Sequence, residues 1–326
     1  MRGLLWAVLA LGVLWGGYWV AGSQAIERGV DQWFTDQAAS GITATEAGIS
    51  VSGFADRFDL TVTNPHLADP ATGWGWQAPF AQVFAMTWKP WHVIAALPHD
   101  QVIEAPDQRI SLKSSRLTGS LRVQPSTDGT LEEVVVEGHD LLANSDLGWT
   151  IGAKSLVAAI ARDATRQFGQ HLGLEVTDLV PDPSLGNLVP ELGPVISSVH
   201  LDATLVLTAP IDRHMADTLP ALHSIILTDF HAIWGASSLS ASGTIKRADD
   251  GHAEGIIEVR VKSWRVVPKL FVAAGLIRPE MGDTIERGLE TLAADGPDRN
   301  ELTLPLTLAD GWMSLGPLPL GPAPML

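Results

Sequence analysis

Two hydrophobic periodicities divide the chain. From Gly3 to Ile26 it carries no charge, and the core of this stretch, Leu4–Gly22, reads LLWAVLALGVLWGGYWVAG. At a rise of ~1.5 Å per residue this core spans roughly 28 Å as a helix, close to the hydrocarbon thickness of a bilayer. The continuation, Gln24–Ala38, places Ile26, Val30, Trp33 and Phe34 at i, i+4, i+7 and i+8, one face of a helix. Beyond Gly41 the period changes to two. Phe58, Leu60 and Val62 alternate with Asp59, Thr61 and Thr63 until Asn64-Pro65. Ile110 with Leu112, and Leu117 through Val123, repeat the pattern, as do Val199–Leu207, Ile225–Ile233, Leu239–Ile245, Ile257–Val261 and Leu302–Leu308. Pro125–Gly129, Asp249-Asp250-Gly251 and Asp310-Gly311 supply turn chemistry between such runs, because Asp-Gly readily takes the positive φ of tight hairpins.

The fold class that follows is mainly β with a few helices. An N-terminal transmembrane helix leads into a large, curved antiparallel sheet, with late helices near 268–295 opened by Pro268 and Pro279. The second of these would carry Met281, Ile285, Leu289 and Leu292 on one face and stop at Gly296-Pro297. Ser155–Phe168 fits either a helix or an extended strand. The tail Gly316–Leu326, with four prolines, is expected to run along the domain or dangle, since proline cannot serve a central strand. The expected organisation is an anchor over 1–23, a juxtamembrane helix over 24–40 and an extracytoplasmic β-rich domain over 41–326. A faint echo supports two related halves meeting near 155–200: Asn64-Pro65, Asp140-Leu141 and Asp229-Phe230 each precede a Trp and an outgoing apolar run.

Charge decides orientation. Arg2 precedes the apolar run and a charge-mixed region begins at Glu27, so the positive-inside bias puts the N-terminus in the cytoplasm and the remainder in the periplasm. Tyr18 and Trp19 fall where interfacial aromatics would anchor the outer end. The competing reading is a cleaved signal peptide with Ala21-Gly22-Ser23 at its cleavage site. The apolar run exceeds an ordinary signal core and Trp19 crowds that site, which favours an inner-membrane anchor through Leu4–Gly22. Both readings export the domain.

Composition mostly excludes. Hydrophobic residues make up 46% and charged ones 18%, a folding composition. A net charge of −16 without a basic run argues against nucleic acid as a partner. The absence of cysteine removes disulfides, thiolate metal sites and a Cys nucleophile. The ten histidines are scattered without ligand spacing, and Asp249–Glu254 lacks the later oxygen ligands of a calcium loop, so neither metal nor cofactor is indicated. No nucleophile elbow, phosphate loop or dinucleotide fingerprint is present, and no catalytic residue is assigned. The unusual feature is an aromatic cluster: Trp74, Trp76, Phe80, Phe84, Trp88 and Trp91. Such residues either pack a core or line an apolar surface for an acyl chain.

Val51-Ser52-Gly53-Phe54-Ala55-Asp56-Arg57-Phe58-Asp59-Leu60, Gly73-Trp74-Gly75-Trp76-Gln77-Ala78-Pro79-Phe80 and the closing Leu315–Gly321 resemble the domain-of-unknown-function family 2125, described mainly from alphaproteobacteria. The resemblance implies a membrane-anchored envelope protein and supplies no activity or catalytic residues to carry over. Three functional expectations follow. The first is a non-catalytic periplasmic scaffold, or a binder of lipid or another apolar ligand, in envelope biogenesis. The second is an exported hydrolase-like enzyme whose dispersed site would draw on Asp56, Arg57, Asp59, His92 or His99. The third is a protein–protein interaction module that binds another envelope protein.

Overall fold

The computed structural model describes residues 1–216, 219–273, 279–294 and 298–326. A single helix, α1 (Arg2–Ala39), joins the expected anchor and juxtamembrane helix without a break. Its apolar window has a mean hydropathy of 1.8 and none of it is buried, so this helix is long and apolar enough to cross a membrane. The rest is almost entirely antiparallel β-structure in two compact units: residues 1–125 with 136–148, and residues 126–135 with 149–326.

The first unit is a row of long strands, each interrupted at a crease. Its half-strands are β1 (Thr43–Thr45), β2 (Gly48–Ser52), β3 (Arg57–Thr63), β4 (His66–Asp69), β5 (Trp74–Gln77), β6 (Phe80–Met86), β7 (Lys89–Leu97), β8 (Asp100–Ala105), β9 (Gln108–Lys113) and β10 (Arg116–Val123). On one side of the crease the order is β2-β3-β6-β7-β10; on the other it is β1-β4-β5-β8-β9, followed by the end of β11 (Leu131–Ser145). The linking pairs are Glu46-Ala47, Asn64-Pro65, Ala78-Pro79, Pro98-His99 and Ser114-Ser115. Proline, which has no N–H to give a ladder, fits where the ladder is broken. Bonds such as Asn64 N–H to Pro79 O (2.9 Å) and Ala78 N–H to Pro65 O (3.2 Å) carry pairing across the bend.

The apolar face of this unit is partly covered by α1. Phe34 packs against Ala44 on one side of the crease and Val62 on the other, with Val30, Ile49, Leu60 and Leu67 around it. Further toward the N-terminus the same helix meets the strand tip. Trp15 Nε1 donates to Ala55 O (2.8 Å), Tyr18 Oη to Thr87 O (2.8 Å) and Trp19 Nε1 to Arg57 O (2.7 Å). Phe58, buried, lies between the Tyr18 and Trp19 rings. Trp6 and Trp15 stay exposed. Of the expected helical face, Phe34 is buried, Ile26 and Val30 are half-buried and Trp33 is exposed.

The second unit is a meander in which each strand pairs with the next: β12 (Thr150–Asp163), β13 (Gly169–Leu179), β14 (Ile196–Leu207), β15 (Leu222–Trp234), β16 (Ser237–Arg247), β17 (Ala253–Lys262), β18 (Glu301–Ala309), β19 (Trp312–Leu315) and β20 (Leu318–Pro322). No pairing joins β12 to β20 among the described residues, so the meander is an open sheet. The ambiguous segment near residue 160 is strand. Ser155–Asp163 pairs residue by residue with Gly169–Thr177, and pairing overrides a weak helical pattern. Asp310 and Gly311 both have positive φ, as the hairpin turn between β18 and β19 requires. The proline-rich tail does not dangle. It forms the edge strand β20, then Ala253 N–H donates to Pro324 O (2.8 Å), consistent with proline's tolerance at sheet edges.

Three short helices complete this unit: α2 (Pro183–Leu188), α3 (Val267–Ala273) and α4 (Pro279–Ala294). Asp182 caps α2 by accepting from Ser184 N–H (2.9 Å) and also accepts from Thr150 N–H (2.8 Å). The hydroxyl of Ser184 and these backbone donors hold its carboxyl below the ordinary range. Leu289 and Ala293 of α4 pack on Val261, Leu302 and Leu304, with fully buried Trp264 beneath them. Leu292 is exposed; the side chains of Met281 and Ile285, and Gly275 and Gly296-Pro297, lie outside the described residues.

The three echo positions share a cause. Asn64 and Asp140 have φ of 46° and 48°, and Asp229 sits at a register shift in β15. Each marks a place where a long strand is bent or bulged.

Two predictions follow from these contacts. A Cβ on Gly22 would lie 2.7 Å from Cζ of Phe58, a ring confined by Trp19 and Tyr18, whereas one on Gly17 would meet nothing within 4 Å. Gly17→Ala should be neutral or stabilising by up to ~1 kcal/mol from helix propensity, and Gly22→Ala should cost about 1–3 kcal/mol. Denaturant unfolding of the full chain in detergent distinguishes the two. Asp163, the last residue of β12, accepts from Thr165 Oγ1 and N–H and from Arg166, which lowers its pKa to about 2. A depressed folded pKa stabilises above the unfolded value and ceases to do so as pH falls through the folded one. Asp163→Asn should therefore destabilise at neutral pH, with the difference from wild type vanishing between pH 3.8 and about 2. A thermal-melt series over that range checks it.

Candidate functional site: the open apolar sheet faces

Register decides which side chains share a face, because directly opposed residues on neighbouring strands point the same way. In the second unit one such row runs Ala158–Leu174–Leu201–Phe230–Ala241–Val259–Leu304 across β12 to β18. A second runs Ile160–Leu172–Ala203–Leu227–Gly243–Ile257–Leu306. Every member is apolar or glycine. One residue along, the opposite face reads Glu175–His200–His231–Ser240–Arg260–Thr303. Along these middle rows the sheet is thus two-sided, apolar on one side and mainly polar on the other. Gly243 and Gly255 permit its tightest approach, since a Cβ on either would fall 2.2 or 2.1 Å from a carbonyl oxygen of the neighbouring strand.

The apolar side is larger than its cover. Buried clusters on it lie at the β16–β20 end, where α3, α4 and the C-terminal residues Ala323 and Leu326 pack, and at the Trp234 end of β15, where Val189 and Leu192 join Val266. On this face of β12 to β15 Val176, Ala203 and Gln170 reach full burial; Leu156, Ile160, Leu172, Leu174, Leu201, Leu227 and Phe230 remain half-buried.

The first unit repeats the arrangement. Val51–Leu60–Val83–Ala95–Gly119 and Phe58–Ala85–Val93–Leu121 form apolar rows, backed by Ser50–Thr61–Gln82–Ala96–Thr118 on the other face. Beyond the crease the apolar row is Ala44–Leu67–Trp76–Ile103–Ile110. Helix α1 covers the β1–β3 edge, while Val83, Ala95, Val93 and Leu117 stay half-buried.

The six aromatic residues considered either as core packing or as an apolar-ligand surface are distributed over this frame. Trp76 lies on the apolar face, its Nε1 donating to Oε1 of buried Gln101 (2.9 Å). Trp74 shares that parity at the exposed end of β5. Phe80 and Phe84 pair with Thr63 and Asp59 and therefore lie on the polar face. Trp88 occupies the β6–β7 turn and Trp91 the bulged start of β7. The alternation changes phase at Ala78-Pro79, so aromatics that look contiguous in sequence part company. The apolar rows themselves were visible as period-two runs. Their ordinary Leu, Val and Ala residues drew less notice than rare tryptophans.

The polar residues considered for catalysis have separate partners. Arg57 pairs with Asp59 (2.8 Å), His92 Nε2 meets Ser120 Oγ (3.1 Å) and His99 Nδ1 meets Ser114 O (2.8 Å) at the crease. A pocket of about 380 Å³ at that crease is lined by Asn64, His66, Gln77, Gln101 and Ser111. On the polar face of the second unit, His200 and His231 stack at 4.9 Å, 3.9 and 3.2 Å respectively from Asp229 Oδ2. Among the described residues no group of three or more His, Asp or Glu is placed to hold a metal ion.

Comparison with known families places the chain. The profile of DUF2125, an uncharacterized protein conserved in bacteria, matches residues 19–324. The chain belongs to the DUF2125 family. No curated protein and no solved structure matches it. The DUF2125 match begins at Trp19, so of the three aromatic donors that α1 gives the strand tip it includes Trp19 and leaves out Trp15 and Tyr18.

An open face and a sealed one respond differently to a polar side chain. Leu174→Gln and Leu201→Gln, on the half-buried rows, should each cost about 1 kcal/mol or less, whereas Leu304→Gln beneath α4 should cost about 2–5 kcal/mol. Equal and large losses at all three positions, read by denaturant unfolding, would mean that the chain itself seals the face.

Proposed function

We propose that this DUF2125 protein is anchored in the inner membrane by α1, with its bulk in the periplasm, and that its apolar sheet faces hold a lipid-like ligand in envelope biogenesis. One observation carries the ligand half: both units build a predominantly apolar face, and the segments that pack on it leave its middle rows half-buried. Leaving that much aliphatic surface in water costs about 25 cal/mol per Å², so a bound acyl chain would gain what the missing cover forfeits. A monomeric soluble protein rarely exposes a large contiguous apolar patch without using it. Orientation rests on Arg2 before the span and the mixed charges after it. The ligand is held without chemistry in this reading, as by a scaffold or carrier.

The test is to purify the full chain in mild detergent, extract it and weigh what comes off, against α1 alone fused to a soluble carrier. Lipid bound beyond that carried by the helix, and reduced several-fold by the Leu174→Gln, Leu201→Gln double variant, is the expected result. His200→Gln with His231→Gln, on the opposite face, should leave it unchanged. Lipid no more abundant than on the fused helix would remove the ligand half of the proposal.

A further inference from the structure

Read as a membrane span, α1 does not leave the bilayer before it meets the sheet. A hydrocarbon layer of ~30 Å beginning after Arg2 is filled near residue 22 at ~1.5 Å per residue. The contacts of Trp15, Tyr18 and Trp19 with Ala55, Thr87 and Arg57 therefore lie up to about 10 Å inside its outer edge. We propose that the tip of the first unit, the Gly53–Asp56 loop with the Thr87-Trp88 turn, is seated in the outer leaflet of that bilayer at the boundary between headgroups and acyl chains.

Three observations at the tip agree with such a seat. Phe54 is 65% exposed and Trp88 56% exposed, unlike the buried Phe58 and Thr87 beside them. Tryptophan is the side chain most at home where acyl chain meets headgroup. The carbonyls of Ala55, Arg57 and Thr87 each accept a hydrogen bond from an aromatic side chain of α1, which removes the penalty a bare loop carbonyl would carry in an apolar medium. The flanking charges Asp56, Arg57 and Lys89 of both signs set the depth, since they hold the tip at the boundary and out of the hydrocarbon centre. This placement rests on the span assigned above and extends it, for it brings the apolar face of β3, β6 and β7 to the membrane surface with no aqueous gap for a lipid to cross.

The cysteine-free chain makes the test direct. Single cysteines at Leu9→Cys, Phe54→Cys, Trp88→Cys and Ala71→Cys carry an environment-sensitive fluorophore in full-length protein, reconstituted in phosphatidylethanolamine–phosphatidylglycerol nanodiscs with or without spin-labelled lipid. Leu9 reports the span and Ala71 the exposed β4–β5 turn. The proposal expects labels at 9, 54 and 88 to be quenched at least threefold more than the label at 71. Quenching at 9 with positions 54 and 88 behaving like 71 would overturn the seated tip while leaving the anchor. No quenching at 9 would overturn the anchor and the seat together. Phe54 also meets the Trp19 ring (5.5 Å), so the Trp88 label decides alone if loss of that contact disturbs folding.

Discussion

An antiparallel sheet with one apolar face must put something on that face, and the rest of this structure is organised around the need. Two units each lay out rows of Val, Leu, Ile, Ala and Phe on one side and Ser, Thr, His and charged residues on the other. Cover then comes from whatever helices the chain has. In the first unit it is the long N-terminal helix, with Phe34 set into the crease. In the second it is α3, α4 and the C-terminal residues, over Trp264 and the β17–β18 rows, with Val189 and Leu192 at Trp234. Neither set of helices is broad enough for the strands it serves, and the half-buried rows left over are the main reason for a ligand-holding reading.

Helix α1 is consequently under two demands. Its first turns are apolar on all sides and touch nothing, as a lipid-facing helix should be. From Trp15 onward one side is committed to the sheet through indole and phenol donors and through the close approach of Gly22 to Phe58. Aromatic donors that would otherwise seek interfacial water find loop carbonyls instead. A tether of this kind fixes the attitude of the first unit to the apolar first turns of α1, where a flexible linker would leave it free.

Much of this architecture was legible in the sequence, and the gaps have physical causes. Period-two runs and Asp-Gly turns announced the meander, and the apolar N-terminal run announced α1. The creases were not legible as such: Asn64-Pro65 read as a strand end, yet it is a bend between β3 and β4. Bends of this kind shift the alternation, so Trp76 and Phe80, four residues apart, face opposite sides. Ser155–Phe168 was undecidable locally because its Ala-rich pattern satisfies both periods; pairing with β13 decides it. Of the polar positions that precede each Trp, Asn64 and Asp140 have positive φ and Asp229 sits at a register shift.

The central claim is that the middle rows are occupied by something apolar that the chain does not itself supply. Photo-crosslinking in intact cells tests this residue by residue, with a benzoylphenylalanine at Leu201 or, one position away on the other face, at His200. The account predicts adducts of lipid mass at 201 and none at 200. Equal labelling at both positions, or crosslinks from 201 only to other residues of the same chain, would contradict it.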